Sequence, residues 1–310
     1  MNSSNTSLTT VDRDNIQTAV IKNVISVVLC ICINYVNSTL VHTFNKHQIL
    51  NMNPRYILYT NLVINDIILL TMFTLIQLLS YIVFTLNVSL CIALILVAVA
   101  SSINSPLTLA LMAIECYIAV CFPLRHTQVC TVRKTYAAIG TIWLLSALYI
   151  LSDLFAALAS ESPEFFQSNL FCFADAVFRQ PYRKKKIEIS NIVLMVLVWL
   201  ILFYTYFKIL SAARAAAHDA KKARNTVLLH GFQLLLCMLT YVYYVIVKGL
   251  LMLFPRGIRD IRFSVTILVH VLPRLISPVI YGLRDKTFRK YLKTHLFCTT
   301  NTETRPQKTT

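Results

Sequence analysis

Long apolar runs separated by short polar segments dominate the chain. Residues 90–113 carry no charged side chain and are long enough to cross a hydrocarbon core of about 30 Å as a helix. In lipid a spanning segment must satisfy its own backbone hydrogen bonds, so each such run predicts a helix. Seven runs qualify: Ala19–Phe44, Tyr56–Phe84, Leu90–Cys121, Tyr136–Ala159, Ile187–Leu210, Thr226–Phe254 and Phe263–Leu283.

The polar segments between and beyond these runs predict the domain organisation. We expect an extracellular N-terminal tail over residues 1–18, a seven-transmembrane domain over 19–283, an amphipathic eighth helix over 284–298 and a disordered cytoplasmic tail over 299–310. Apolar residues near 3.6 spacing between basic ones indicate that the eighth helix lies on the membrane surface. The predicted fold class is therefore all-α, a seven-transmembrane helix bundle with a short eighth helix.

Composition and charge support a multi-pass membrane protein. Hydrophobic residues make up 57% of the 310 residues and charged ones only 14%, against roughly 25% charged in soluble domains. More Lys and Arg lie on the side of the C-terminus, which predicts an N-terminus outside the cell. The net charge of +16 is spread over short loops, so we expect contacts with membrane lipids and none with nucleic acid.

One basic run, Arg183–Lys186, departs from this charge pattern because it falls outside the membrane, just before the fifth apolar segment. A solvated basic face is the simple interpretation. The alternative is attraction of anionic ligands towards the mouth of the bundle.

Cysteines divide into two groups by the predicted topology. Most lie in helices or on the cytoplasmic side, where thiols stay reduced. Only Cys91 and Cys172 face the oxidising side, so this count predicts a disulfide between them. Three glycosylation sequons, at Asn2, Asn5 and Asn87, are also predicted to lie outside the cell.

Residues 111–126, LMAIECYIAVCFPLRH, resemble the MAxDRYxAIC-x-PLxY motif of odorant receptors, within the rhodopsin-like G-protein-coupled receptors. Residues 222–230 are similar to their KAxxTxxxH pattern, and residues 277–286, SPVIYGLRDK, to NPxIYxLRxK. The amino acids in these motifs are most similar to those of the odorant receptors of bony fishes. The resemblance implies a small-molecule odorant, a heterotrimeric G protein of the olfactory or stimulatory type, the plasma membrane of olfactory sensory neuron cilia, and the same disulfide pair.

Other functions are disfavoured by specific positions. Ala98 stands where amine receptors have an aspartate, and Val271 where opsins have the retinal-binding lysine. A transporter or channel is disfavoured because the sequence shows no internal repeat. An enzyme is not expected, because none of the common catalytic or metal-binding motifs occurs.

The resemblance places the ligand between the third, fifth, sixth and seventh helices, below the loop that carries Cys172. Helical spacing gives the inward candidates Ala98, Ser101, Ser102, Ser105, Tyr241, Tyr244, Val245 and Lys248. Lys248 could pair with an acidic odorant, and the alternative is that its amine snorkels to the interface.

Asp66, Ser105 and Ser277 stand at positions that form a sodium site in rhodopsin-like receptors. Oxygen ligands suit a hard cation, so a sodium ion is a candidate at this site, and no other cofactor is expected. The alternative is that Asp66 is hydrogen-bonded to Asn37 and water.

The cytoplasmic motif departs from the family at Cys116, where most members have an arginine after the acidic residue. A thiol cannot supply the five donors and fixed charge of a guanidinium. No resting ion pair of the usual kind is therefore expected, and three outcomes are open: coupling through the remaining surface, weak coupling or none. We favour the first, and the candidate coupling residues are Glu115, Cys116, Tyr117, Arg125, Tyr206, Lys221, Lys222, Arg224 and Tyr281.

Overall fold

The computed structural model describes residues 16–83, 85–170, 172, 174–178, 181–215, 232, 243, 246–247, 249–254 and 258–276. The long helices within these residues are α1 Ile16–Lys46, α3 Pro54–Ile82, α4 Val88–Cys121, α6 Val132–Ser160 and α9 Pro181–Ala215. All five are long and apolar enough to cross a membrane. They correspond to the first five predicted spans.

Shorter elements connect or follow these helices. They are α2 Gln48–Asn51, β1 Leu86–Asn87, α5 Pro123–Val129, α7 Pro163–Gln167, β2 Asn169–Leu170, α8 Ala174–Val177 and α10 Ile258–Thr266, which continues into a π-helical turn, Ile267–Val271. Residues 272–276 are helical again, and so are residues 249–253 in the sixth predicted span. Most of that sixth span, the end of the seventh, and the predicted tail helix lie outside the described residues.

Helix starts carry the expected capping chemistry. Asn53 accepts a hydrogen bond from the backbone N–H of Arg55, and Pro54 occupies the first turn of α3, where its missing N–H costs nothing. Thr131 caps α6 in the same way through Lys134. Capping explains why α3 and α6 begin a few residues before their apolar stretches.

Helix α4 is the central helix of the described bundle and packs against α3, α6 and α9. In the most apolar stretch of α4, 56% of the residues are buried, against 17% in the corresponding stretches of α1 and α6. On α1, by contrast, large apolar side chains at Val20, Val24, Val28 and Ile31 are exposed along one face. Apolar residues in such a stripe are expected to face lipid.

One end of the bundle is tied together by a short sheet and a disulfide. Strands β1 and β2 pair antiparallel, with Leu86 opposite Leu170. Cys91 at the start of α4 is bonded to Cys172, with 5.6 Å between the Cα atoms. The predicted disulfide is therefore present, and it holds the segment between α6 and α9 against the first turn of α4.

Helix α9 begins six residues earlier than the predicted fifth span, and this changes the interpretation of the basic run. Arg183 and Lys186 lie in its first two turns, and Arg183 is only 6% exposed. A solvated face is therefore wrong for Arg183.

Candidate functional site

A cavity of about 630 Å³ lies near the end of the bundle that carries the Cys91–Cys172 disulfide. Its walls come from α3, α4, α6, α9 and the helix that contains His270, and Cys172 lines it as well. Most of the lining is apolar, and the polar side chains that line it are Gln77, Ser102, Ser146, Tyr149, Asp153, Arg183, Ser190, Asn191, Tyr243, Thr266 and His270. A cavity of this size, with a few polar groups, suits a small organic ligand.

The predicted ligand residues on α4 divide between two faces. Ala98 and Ser102 line the cavity. Ser101 and Ser105 are buried against α3 instead, where the Asn65 amide donates to the Ser105 hydroxyl and the Ser101 carbonyl, each at 2.8 Å. Their assignment to the ligand is therefore corrected: both hold α3 to α4.

The predicted ligand residues of the sixth helix, Tyr241, Tyr244, Val245 and Lys248, lie outside the described residues. Their neighbour Tyr243 does line the cavity, with its hydroxyl 3.3 Å from that of Thr266. The sixth helix thus contributes to the cavity wall.

Asp153 of α6 forms a buried charge cluster at the cavity wall. Its carboxylate is 2.5 Å from Lys186 Nζ and 3.5 Å from Arg183 Nε. Asp153 and Arg183 both line the cavity and are nearly inaccessible to solvent. A buried charge is costly unless it is paired, so these residues anchor α6 to α9.

Asp66, at the predicted sodium position, already has a cationic neighbour. Arg274 Nε lies 3.5 Å from its carboxylate, and both side chains are buried. Asn37, the alternative partner, forms no side-chain hydrogen bond among the described residues. A sodium ion would bring a second positive charge to the same carboxylate, so the donor set does not favour one. The sodium site stays a prediction, and its third residue, Ser277, lies outside the described residues.

Glu115 is the centre of a second cluster, near the C-terminal end of α4. Arg55 Nε lies 3.1 Å from one carboxylate oxygen, and Arg55 Nη2 and His126 Nε2 lie 3.5 and 3.0 Å from the other. Glu115 is only 5% exposed. Glu115, whose sequence neighbour is not the usual arginine, is therefore paired with Arg55 of α3. This corrects the expectation that no resting ion pair forms there.

The other described coupling candidates are Cys116, Tyr117, Arg125 and Tyr206. Cys116 is buried and Arg125 of α5 is exposed. Tyr117 packs edge-on against Tyr204 of α9, with 5.8 Å between ring centroids. Tyr206 lies close to Phe207 in α9. The remaining candidates, Lys221, Lys222, Arg224 and Tyr281, lie outside the described residues.

Comparisons with known proteins agree with this geometry. A family model described as 7 transmembrane receptor (rhodopsin family) matches residues 36–281. Odorant receptor 131-2 of zebrafish (Danio rerio) is 32% identical over 272 residues, which cover 85% of this chain and 82% of that protein. Olfactory receptor 1078 of rat (Rattus norvegicus) is 24% identical over 193 residues, 60% of this chain and 56% of that protein. The chain belongs to the odorant receptors of the rhodopsin family.

Membership in this family establishes the broad class of the molecule. It is a multi-pass membrane receptor with seven transmembrane helices, and its family is one of receptors rather than enzymes. The sequence-based assignment to the odorant receptors is thereby confirmed.

Four ionisable residues of the receptor's clusters around the buried acids were missed by sequence reasoning. They are Arg55, His126, Asp153 and Arg274. Asp153 and Arg274 each interrupt an apolar run, and an ionisable residue inside a membrane span suggests a buried partner. That signal was available in the sequence, although the identity of each partner was not.

Of the predicted glycosylation sites, only Asn87 lies in the described part of the receptor. Asn87 is exposed, accepts a hydrogen bond from the N–H of Ser89, and donates from Nδ2 to the carbonyl of Gln167 at 3.3 Å. A glycan would replace one of the two hydrogens of Nδ2, and glycosylation here stays a prediction. Asn2 and Asn5 lie outside the described residues.

Proposed function

We propose that this receptor binds a small-molecule odorant in the 630 Å³ cavity and activates a heterotrimeric G protein of the olfactory or stimulatory type. The observation that supports ligand binding is the position of the cavity. It lies between transmembrane helices that include α4, α6 and α9, next to the disulfide-bonded Cys172. The N-terminus lies outside the cell in this proposal, and the receptor acts in the cilia of olfactory sensory neurons.

Ligand binding is tested by filling the cavity. Ala98→Phe places a ring in the cavity wall, whereas Val97→Phe adds the same ring on a neighbouring side chain that is 42% exposed. At matched surface expression in cells with a cAMP reporter, we expect Ala98→Phe to raise the EC50 of an activating odorant at least about tenfold. Equal responses from both variants would contradict binding in this cavity, and odorant-evoked current or uptake without cAMP would favour a channel or transporter.

Coupling in this proposal depends on a contact that replaces the missing arginine. Arg55 and His126 hold Glu115 in the resting receptor, and their release exposes the coupling surface when the helices move. Tyr117, Arg125, Tyr206, the Lys221–Arg224 cluster and Tyr281 then contact the G protein. Support comes from the burial of Glu115 and the short distances to both partners.

Cys116→Arg tests coupling through the remaining surface. The parent receptor is expected to raise cAMP in response to odorant, and the variant to change that response only moderately. A silent parent and an active Cys116→Arg variant at matched surface expression would refute the proposal.

A further inference from the structure

Several of the side chains that line the cavity on α4, α6 and α9 carry hydroxyl groups. They are Ser102, Ser146, Tyr149 and Ser190. A serine or tyrosine hydroxyl has one hydrogen to donate and lone pairs with which to accept. The protein acceptors of these hydrogens therefore determine what the hydroxyl groups can offer to a ligand.

Two of the serines donate their hydrogens to acceptors within the bundle. Ser102 Oγ donates to the backbone carbonyl of Ala98 at 2.9 Å, and Ser146 Oγ donates to Asn104 Oδ1 at 2.5 Å. A carbonyl oxygen accepts and cannot donate, so the direction of both hydrogen bonds is determined. Each serine oxygen keeps lone pairs with which it can accept from a ligand.

Tyr149 of α6 and Ser190 of α9 form a hydrogen-bonded pair with a defined direction. Their hydroxyl oxygens lie 3.0 Å apart, and Ser190 Oγ also donates to the backbone carbonyl of Ile187 at 3.0 Å. That carbonyl receives the single hydrogen of Ser190, so Tyr149 is the donor within the pair. The Tyr149 oxygen can therefore accept a hydrogen bond from a ligand but has no second hydrogen to donate.

The Tyr149 side chain is also held in place by its surroundings. Lys186 Nζ lies 4.1 Å from the centre of the Tyr149 ring and donates to the Tyr149 backbone carbonyl at 3.1 Å. The hydrogen bond to Ser190 holds the other end of the ring. An acceptor that is already positioned loses little conformational freedom when a ligand binds.

We propose that the receptor recognises odorants that carry a hydroxyl group, small alcohols or phenols whose hydrogen is donated to Tyr149 Oη. This inference rests on the proposed function, because it names the ligand class of the same cavity. The hydrocarbon body of the odorant packs against the apolar lining, which includes Val99, Ile103 and Leu194.

An aldehyde of the same carbon skeleton is a poorer ligand for this cavity. Its oxygen can only accept, so it cannot use Tyr149 or the three serines. N–H groups elsewhere in the lining, such as those of Asn191, can donate to the oxygen of either ligand. An alcohol therefore forms one hydrogen bond more than the aldehyde does.

The first test compares alcohols with aldehydes of equal length on cells that express the full chain with a cAMP reporter. The pairs are butan-1-ol with butanal, hexan-1-ol with hexanal, and octan-1-ol with octanal. We expect the EC50 of the alcohol to be about three- to tenfold lower, which corresponds to one hydrogen bond. Tyr149→Phe keeps the ring, removes the acceptor and should make the two values equal.

Ser190→Ala tests the direction of the hydrogen bonds. Without Ser190 Oγ, the hydrogen of Tyr149 becomes available to a ligand, so the EC50 of the aldehyde should fall at least about threefold. Ser102→Ala is the matched control, because it also removes a serine hydroxyl from the lining but releases no hydrogen. An equal gain in both variants would show that added space is the cause, and would overturn the assignment to Tyr149.

A second measurement separates ligand selectivity from coupling. The unfolding temperature of the full chain in detergent should rise more with hexan-1-ol than with hexanal, and this difference should disappear in Tyr149→Phe. Equal effects of alcohol and aldehyde on the parent receptor, a stronger response to hexan-1-amine, or responses only to odorants without a hydroxyl group would overturn the ligand class alone. Loss of every odorant response together with every thermal shift would overturn the proposed function as well.

Discussion

Release of Glu115 from Arg55 is expected to activate the receptor without ligand. The contact joins the C-terminal end of α4 to the start of α3, and the glutamate side chain is 5% exposed while that of the arginine is 33% exposed. Arg55→Met removes the charge and keeps most of the apolar stem. If the pair belongs to the resting state, the substitution destabilises that state and leaves the active state unchanged.

The exposure of the two partners determines how much free energy the resting state loses when the ion pair is removed. Breaking a fully buried ion pair costs about 3–5 kcal/mol, whereas an exposed pair contributes about 0.2–1 kcal/mol. One partner of this pair is buried and the other is partly solvated, so we expect about 1–2 kcal/mol. That free energy corresponds to a five- to thirtyfold rise in the ratio of active to resting receptor.

The assay is cAMP accumulation without odorant, at surface expression matched by an extracellular epitope tag. Arg133→Met is the control, because Arg133 is an arginine that is exposed at the start of α6. It should leave basal cAMP unchanged. His126→Phe should raise it less than Arg55→Met does, since Arg55 provides two contacts and a permanent charge.

A double-mutant cycle decides whether the effect passes through Glu115. Glu115→Gln alone should raise basal cAMP, and Arg55→Met should then add little, because the interaction is already lost. An equal increase in the parent and the Glu115→Gln background would refute the ion pair as the resting contact. Unchanged basal cAMP in Arg55→Met would refute it directly.

Three further predictions concern other described residues. Because Arg274 is already the counter-ion of Asp66, the EC50 of an odorant should not change when external sodium is replaced by potassium, and sodium dependence that is lost in Asp66→Asn would restore the sodium site. Cys172→Ser opens a disulfide that spans 81 residues and should cost about 2–4 kcal/mol, seen as lower surface expression and a lower unfolding temperature in detergent. Burial, with a smaller contribution from Glu115 and opposition from Lys134, raises the pKa of the Cys130 thiol, so site-resolved alkylation at neutral pH should be slower than for a free thiol and should increase at a higher pH.

The apolar pattern was sufficient to locate the spans that the structure describes. Helix α4 covers Val88–Cys121 against a predicted Leu90–Cys121. Larger differences occur where polar residues extend a helix beyond the lipid, as in α9, which includes Arg183 and Lys186. Hydropathy marks the part of a helix that must be apolar, but capping and ion pairs determine where the helix begins.

The candidate sites were harder to predict, because spacing on one helix does not determine which neighbour a side chain meets. Ala98, Ser101, Ser102 and Ser105 all lie on α4, yet two of them line the cavity and two pack against Asn65. The choice depends on how α3 and α4 are rotated about their axes. That rotation follows from packing across the whole interface.

Buried charge provides the constraint that links these sites. The buried acids of the described residues are Asp66, Glu115 and Asp153, and each has a basic partner on a different helix. A lone charge inside a membrane protein is costly, so a buried acid in one span requires a base nearby. These pairs join α3 to α4, α6 to α9, and α3 to the helix of Arg274. Two of them, at Glu115 and Asp153, lie at opposite ends of the bundle, and the proposed coupling depends on the pair at Glu115.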